Sequence, residues 1–484
     1  MGVATVNWQG RFAILGWGVS GKASAHALVK RGAQLCAFDG RAREDHQSEN
    51  DANVEFVSEA DSDALAQAVI DWKPDCIVVS PGIPAHHPIF SAAKNAGIEL
   101  IGEVELAWRL QEDSEHAGRP WLCVTGTNGK TTTVGMLGAM LRAAGEDAVE
   151  VGNIGLPICE AIDTDATVFA VELSSFQLHT VSTVSPLASV CLNVDADHLD
   201  WHGSAQAYAA DKAKVYHLTQ KACFYPASDI TVENMVAEAD VIEGARAIGL
   251  TLGIPSISQV GWVEDALVER AFVEKRHMQA QFLAEVDDLR VAYHDGVTDA
   301  ARMDATAAAG LARAFAVPPE AVAQGLRSFT PAHHRRAVIS HAADVTWIDD
   351  SKATNAHAAV ASLSGITPGT AVLIAGGDTK GQEFGDLVAR VAPLLRGVVV
   401  IGKDRSAIVK ALRQRAPQVP FVEVDGHEDW MFSVVNEAVA LSRPGDTVVL
   451  APACASWDQF RSYAQRGDVF RDAVKRLEAN WAAQ

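Results

Sequence analysis

The run TGTNGKTTT, Thr125 to Thr133, stands between an apolar stretch, WLCV (121–124), and a helix-like one, VGMLGAMLRAAG (134–145). A strand, a tight glycine turn and a helix N-terminus in that order aim backbone N–H groups and the positive end of the helix dipole at a phosphate. The common loop, G-x-x-x-x-G-K-[ST], needs a glycine at position 124, and Val124 stands there instead. Read with its strand and helix, the run is a nucleotide-binding loop that is one glycine short. Gly126, Thr127, Asn128 and Gly129 form the turn, Lys130 reaches the β- and γ-phosphates, the Thr131 hydroxyl suits Mg²⁺, and Thr132 follows in the first turn. The plainer alternative is a polar strand-to-helix turn.

The same rhythm extends to both sides. Upstream come RFAILG (11–16), ASAHALVKRG (23–32), QLCAFD (34–39), CIVVSPGIP (76–84) and FSAAKNAG (90–97). Buried parallel strands alternating with amphipathic helices give this pattern. A polar stretch, Gln111 to Pro120, reads as a linker. The central series continues with TVFAVEL (167–173) and LASVCLNV (187–194). A third follows FTPAHHRR, with VTWIDDS, AVLIAGG, GVVVIG and TVVLAPA. The expectation is three α/β domains in tandem, over residues 1–116, 117–331 and 332–484: a Rossmann-like front domain, a central P-loop ATPase-type domain and a Rossmann-like C-terminal domain. Residues 228–297 carry strand-like pieces without clear periodicity.

Composition narrows the function. A chain of 484 residues exceeds a single core. A formal charge of −21 argues against a broad nucleic-acid or anionic-membrane surface, so an anionic substrate needs local cations and helix N-termini. No apolar run approaches the roughly 20 residues of a membrane span. The N-terminus does not read as a signal peptide. Seven cysteines without a C-x-x-C pair fit free thiols in a reducing cytoplasm better than a disulfide framework or zinc site.

Two carboxylate and imidazole positions follow strands of the central series. Glu172 ends TVFAVEL, where its carboxylate emerges at the C-terminal edge of a parallel sheet, and His198 in NVDADHLDWHG follows LASVCLNV. Glu172 with Thr131 is reasonable chemistry for Mg²⁺; an imidazole is less expected. Taken singly, Glu172 also reads as a capping acid and His198 as a hydrogen-bonded loop histidine. In the front domain, GWGVSG sets Gly16, Gly18 and Gly21 in G-x-G-x-x-G after a strand, with Asp39 ending the next. That fingerprint suits NAD as well as another nucleotide diphosphate.

The motifs GTNGKTT, GNIGLP, ELSSFQL, NVDADHLDWHG, DKAKVY, DDSKATN, GGDTKG and APACASWDQF occur in one order across nearly the whole chain. In this the chain closely resembles the Mur ligase family of peptidoglycan synthesis, whose phosphate loop is the short form G-T-N-G-K-[ST]. The resemblance implies a cytoplasmic, monomeric, ATP-dependent ligase adding D-glutamate to UDP-N-acetylmuramoyl-L-alanine through an acyl phosphate. It implies Lys130 on the phosphates, Thr131 and Glu172 on one Mg²⁺, and His198 with a carbamate on Lys212 at a second. Lys214, two residues on, is the neighbour that could be confused with Lys212. It implies Asn153 at the adenine, Arg335 near the adenine or a hinge, and Asp350 and Lys352 at the ribose and phosphates. Ser174, Gln177, Val19, Ser20, Asp39, Arg41, Ser80, Pro81 and Gly82 fall on the UDP-substrate side, and Thr354, Lys380, Ser456 and Tyr463 on the glutamate side. A UDP-sugar is then favoured over NAD at the glycine fingerprint.

Departures from the family's pattern are local. Ala300, Ala301 and Asp304 stand where H-N-x-x-N is usual, Ala337 replaces an acid, and Tyr463 stands where Phe is usual. Asp304 beside ATP phosphates is repulsive unless it meets a metal or a sugar hydroxyl. Other readings are an amide ligase of the folylpolyglutamate synthase kind, a catalytically weak paralogue that binds UDP-muramoyl peptides, and an NAD-dependent oxidoreductase. The GWGVSG front domain argues against the first.

Overall fold

The computed structural model describes residues 7–41, 54–195, 197–293, 296–331, 333–426 and 429–482. It contains three sheets in chain order, and all three are predominantly parallel. The fold class expected from the alternating pattern is the one observed.

The first sheet is built from β1 (Arg11–Leu15), β2 (Gln34–Asp39), β3 (Glu55–Ser58), β4 (Cys76–Val79) and β5 (Glu99–Gly102), in the order β3-β2-β1-β4-β5. All its pairs are parallel. The order reverses between β1 and β4, which opens a crevice at their C-terminal ends. The second sheet holds β6 (Trp121–Thr125), β7 (Ala148–Gly152), β8 (Val168–Glu172), β9 (Ala188–Cys191), β10 (Ala222–Pro226), β11 (Arg246–Leu250), β12 (Gln259–Val263), β13 (Ala266–Glu269) and β14 (Gln281–Glu285). Its order is β14-β13-β12-β11-β10-β9-β6-β8-β7, parallel up to β12 and antiparallel from β12 to β14. The stretch 228–297, without clear periodicity in sequence, thus supplies β11 to β14 of this sheet.

The chain divides into two compact units, residues 1–291 with 302–329, and residues 292–301 with 330–484. Within the first, one apolar core runs from Ile14 of the front sheet and Leu28 of the helix Val19–Val29 through Trp108 to Trp121, Phe169 and Val171 of the central sheet. Gln111 to Pro120, expected as a linker, is instead tied down. Gln111 lies in the helix Glu103–Glu112, is fully buried, accepts from Trp121 Nε1 (2.9 Å) and donates to the Arg119 carbonyl (3.1 Å). Arg119 in turn donates to the carbonyls of Ile162 and Thr164. Buried Glu105 on the same helix accepts from the Ser182 and Thr183 amides and the Thr183 hydroxyl.

The second unit carries β15 (Ala337–Ser340), β16 (Thr346–Asp349), β17 (Ala371–Gly376), β18 (Leu395–Ile401), β19 (Phe421–Glu423) and β20 (Thr447–Leu450), ordered β15-β16-β20-β17-β18-β19. Only the β15–β16 pair is antiparallel. All seven cysteines are buried free thiols. Among the described residues, no helix is long and apolar enough to cross a membrane.

Candidate active site

Val124 answers the missing glycine. It is an interior residue of β6, fully buried, in register with Glu172 of β8 and Val190 of β9. A glycine there would remove core packing from the middle of the sheet. The turn begins two residues later, at Gly126 (φ 151°), and ends at Gly129 (φ 85°), which caps the helix Lys130–Ala143. Both φ values favour glycine.

The loop is held from behind by residues that sequence reasoning did not single out. Asn193 accepts from the Asn128 amide (2.8 Å) and donates to the Asn128 carbonyl (3.3 Å). Thr127 Oγ1 lies 2.9 Å from the Tyr208 hydroxyl and accepts from the Asp195 amide. Lys130 Nζ donates to the carbonyls of Gly126 (2.8 Å) and Thr127 (3.0 Å). Thr132 is half-buried in the first helical turn.

Thr131 Oγ1 donates to Glu172 Oε2 (2.7 Å), and Asn153 Nδ2 donates to Glu172 Oε1 (2.8 Å). Asn153, linked by resemblance to adenine, therefore orients the Glu172 carboxylate here. Gly152 allows this turn: a Cβ on it would come within 2.2 Å of the Glu172 carbonyl oxygen. Thr131 and Glu172 present adjacent hard oxygens beside the phosphate loop. That set fits Mg²⁺, which takes one or two carboxylates and fills its octahedron with water and substrate phosphate.

Lys212 lies in the helix Ala205–Ala213 with 2% of its surface exposed. Its Nζ donates to the Gly126 carbonyl (2.8 Å), the same oxygen that Lys130 contacts, and sits 4.8 Å from the Tyr208 ring centroid. Burial first, then the Lys130 charge, push its pKa down to about 7. Lys214 is different: it is partly exposed and pairs with Asp211 Oδ1 (2.9 Å). The helix is pinned by Asp211, whose Oδ2 meets His179 Nδ1 (2.8 Å) and His202 Nδ1 (2.9 Å), while His202 Nε2 meets the Ser175 hydroxyl (2.9 Å). Burial alone raises the Asp211 carboxyl, but His179 and Lys214 outweigh it and hold the carboxyl below its usual range.

His198 caps the short helix Leu199–His202 with φ 52° and stands edge-on to Phe176, its Nε2 3.7 Å from Asp197 Oδ2. Among the described residues, no three His, Cys, Asp or Glu side chains gather as a metal site. Asp304 accepts from the Thr133 hydroxyl (3.3 Å), and a Cβ on Gly129 would come within 2.4 Å of its Oδ1, so its carboxylate lies directly against the loop.

In the front sheet, a Cβ on Gly21 would come within 2.0 Å of the Gly16 carbonyl, and one on Gly16 within 2.8 Å of Ser80 Cβ. Among the described residues, a Cβ on Gly18 would meet nothing within 4 Å. Two of the three glycines thus serve close packing, and the middle one leaves backbone open. Ser80 donates to the Gly16 carbonyl (2.6 Å), joining the loops after β1 and β4. Asp39 accepts from the Trp17 amide (2.7 Å) and the Arg41 amide (2.9 Å). Burial raises this carboxyl, but those N–H donors win and lower it. Val19 and Gly82 are exposed, Ser20 and Pro81 half-buried. Ser80 and Pro81 line a narrow crevice with Phe176, Gln177, His179 and Trp201. Ser174 caps the Ser175–Leu178 turn in a reciprocal box with Gln177.

In the second unit, the loops after β16, β20 and β17 are stitched by backbone bonds, Ala453 to Ala353 and a reciprocal pair between Asp378 and Ala455. They carry Asp350, Lys352 and Thr354, then Ser456, then Lys380. Lys352 Nζ sits 3.9 Å from the Tyr463 ring centroid. Desolvation raises the Asp350 carboxyl, against the Ser362 hydroxyl and the Arg335 charge. Ser456 is buried, and Lys380 is exposed with φ 47°. Arg466, which no motif flagged, is fully buried and donates to Ser351 Oγ (3.0 Å), the Ser351 carbonyl (2.8 Å) and the Cys454 carbonyl (3.1 Å).

Three family models match in order: the MurD-like N-terminal domain over residues 10–102, the Mur ligase middle domain over 124–247, and the Mur ligase glutamate ligase domain over 334–454. A UDP-N-acetylmuramoylalanine--D-glutamate ligase of Streptomyces coelicolor is 47% identical, over 96% of this chain and 98% of that protein. This chain belongs to the Mur ligase family. A second ligase of the same name, from Mycolicibacterium vanbaalenii, is 40% identical to this Mur ligase, over 96% of the chain and 97% of that protein. The fold is also that of the solved MurF ligase of Thermotoga maritima in complex with ADP, at a TM-score of 0.58 and 15% identity, over 98% of this chain and all of that one. A pseudomurein peptide ligase type C from Methanothermus fervidus gives 0.57 at 17% identity, over 97% and 100%.

Proposed function

We infer that the chain is an ATP-dependent ligase that joins D-glutamate to UDP-N-acetylmuramoyl-L-alanine in peptidoglycan precursor synthesis. Near-full-length identity to ligases of that name is the observation that carries it. The site residues and their division among domains 1–116, 117–331 and 332–484 are part of the proposal.

A carboxylate is a poor electrophile, so the substrate carboxylate first attacks the γ-phosphate, giving an acyl phosphate and ADP. The glutamate amine then adds to the acyl carbon, and the tetrahedral intermediate collapses with loss of phosphate. In the first step two anions meet, and local positive charge must offset their repulsion. Lys130 moves from the Gly126 and Thr127 carbonyls to the β- and γ-phosphates, and the amides of the 126–131 turn cradle them at the helix N-terminus. Mg²⁺, held by Thr131 and Glu172, supplies further charge neutralisation when bound. Asn153 fixes the Glu172 carboxylate for that duty.

Lys212 has the property that carbamylation requires, an amine neutral near physiological pH. Such an amine adds carbon dioxide and becomes an anionic oxygen donor. That carbamate, with His198, would hold a second cation. Gly16, Gly18, Gly21, Val19, Ser20, Asp39, Arg41 and the Ser80–Gly82 loop receive the uridine diphosphate, and Ser174 and Gln177 the muramoyl side. Lys380, Thr354, Ser456 and Tyr463 receive the glutamate, whose two carboxylates need at least one cation. Asp350, Lys352, Arg335, Asp304 and Asn153 are assigned to the nucleotide. The enzyme acts as a monomer in the cytoplasm on small molecules, without nucleic acid or membrane insertion. The test is phosphate release from ATP: it requires UDP-N-acetylmuramoyl-L-alanine and glutamate together, and turnover that persists with either omitted sinks the reading.

A further inference from the structure

The central sheet has a second concave site at the end away from the phosphate loop. Strands β9, β10 and β11 run parallel to β6. The loop follows the last residue of β6, whereas Lys221 immediately precedes β10 and Arg246 opens β11. Five-residue strands separate the two ends by roughly 15 Å. The Arg246 amide donates to the Lys221 carbonyl (3.0 Å), which sets the two residues side by side. Around them is an open pocket of about 640 Å³, lined also by Phe272, Glu274, Arg276 and Arg313. That volume is in the range of small-molecule sites, about 300–1,000 Å³.

Four cations converge here in a chain of formal charge −21. Two carboxylates face them. Glu274 is in the lining, and fully buried Glu269 lies 3.4 Å from Arg313 while its Oε2 accepts from the Ala271 (2.6 Å) and Phe272 (2.7 Å) amides. The balance stays positive. Desolvation first, then Arg246 and Arg313, lower the Lys221 pKa; desolvation first, then Arg276, lower that of Arg246. A solvated basic face would leave long side chains loose. Here Arg246 donates to the Ala271 carbonyl (2.8 Å) and lies 5.0 Å from the Phe272 ring centroid, and Arg313 donates to the Val317 carbonyl (2.6 Å). Among the described residues, the buried Arg313 Nε has no hydrogen-bond partner. Guanidinium planes held in place before a ligand arrives are suited to the paired oxygens of a phosphate.

We propose that this pocket is a second anion site, separate from the nucleotide loop, which takes a compact phosphate-bearing small molecule through Lys221, Arg246, Arg276 and Arg313. A long polyanion is disfavoured by the net negative charge of the chain.

The experiment is calorimetric titration of the full chain with inorganic diphosphate, with saturating ADP and UDP-N-acetylmuramoyl-L-alanine present to fill the Lys130 loop and the front-domain diphosphate site. The parent shows a saturable site. Lys221→Ala/Arg276→Ala weakens it about tenfold or more while thermal midpoint and ligase rate without diphosphate stay at parental values. Should the double variant unfold, Arg276→Gln alone carries the test, with a loss of about threefold or more. No saturable binding in the parent, or equal affinity in parent and folded variant, overturns the proposal.

Discussion

Replacing Gly18 and Gly21 one at a time separates packing from binding within a single motif. A Cβ on Gly21 lies 2.0 Å from the Gly16 carbonyl oxygen, a backbone atom that cannot swing away. Overpacking of this kind costs about 1–3 kcal/mol or more, so Gly21→Ala lowers stability steeply. Gly18 has φ −85° at the N-cap of Val19–Val29, and its added Cβ meets nothing within 4 Å among the described residues. Loss of unfolded-chain entropy gains about 0.4–1 kcal/mol. Replacing a favourable N-cap residue with alanine costs a comparable amount, about 0.5–1 kcal/mol. Gly18→Ala should therefore melt within a few degrees of the parent. Its methyl group nevertheless occupies the open backbone that a diphosphate must approach. The expected result is a KM for the UDP-substrate raised about tenfold, a loss of roughly 1.4 kcal/mol in binding, with kcat little changed. Melting curves and steady-state kinetics on the two variants read both effects. An unchanged KM in Gly18→Ala would refute the assignment of this loop to the diphosphate.

Three further outcomes follow from the geometry. Lys130→Ala reduces phosphate release by roughly 10²–10³-fold, with a near-parental melting point, because the Lys130 amine is half-buried and donates to the Gly126 and Thr127 carbonyls of its own loop; a collapsed fold would contradict that division. Lys212→Met is inactive yet more stable than the parent at pH 7. The lowered Lys212 pKa means the folded chain binds fewer protons than the unfolded one between about 7 and 10.5, so parental stability rises with pH across that window. Urea titrations should show the gap closing by about 1.4 kcal/mol per pH unit, and a pH-independent gap would count against a neutral Lys212. Glu105→Ala removes the acceptor of the Ser182 and Thr183 amides, the Thr183 hydroxyl and Arg109 Nε, while Arg109 keeps its pair with Glu99; the donors left without an acceptor lower unfolding free energy by about 2–4 kcal/mol. Burial lifts the Glu105 carboxyl, but Thr183 and Ser182 hold it below its usual range, so the parent loses this contribution as pH falls through that lowered value. A loss under 1 kcal/mol would deny the helix 103–112 its clamping role.

The alternating apolar runs made the three-sheet architecture readable, because buried parallel strands have a nearly continuous apolar signature. The glycine turn between a strand and a helix is equally plain in the sequence, and Val124 is no defect in it, being a strand residue between β8 and β9. Residues 228–297 stayed obscure for a local reason: strands β11 to β14 are four or five residues long, and the β13–β14 register shifts between Leu267 and Val268, which breaks alternation. The supporting polar groups were hidden for a different reason. Asn193 holds a loop 65 positions away, and Arg466 reaches Ser351 across 115. Nothing in spacing or periodicity marks such partners. Gln111 and Arg119 likewise looked like linker because polar residues are usually solvated, whereas here both are buried with hydrogen-bond partners. Lys212 and Lys214 are alike in sequence and differ in surroundings: the Lys212 amine is enclosed with a lowered pKa, and the Lys214 amine is paired with Asp211.

The most direct test of the ligase assignment is product formation from UDP-N-acetylmuramoyl-L-alanine and ATP with D-glutamate, L-glutamate and other amino acids offered separately, followed by mass spectrometry. The account predicts one new amide product, formed with D-glutamate at one ADP per product and absent with the other acceptors. No amino-acid-dependent product, or equal turnover with an unrelated acceptor, would contradict it.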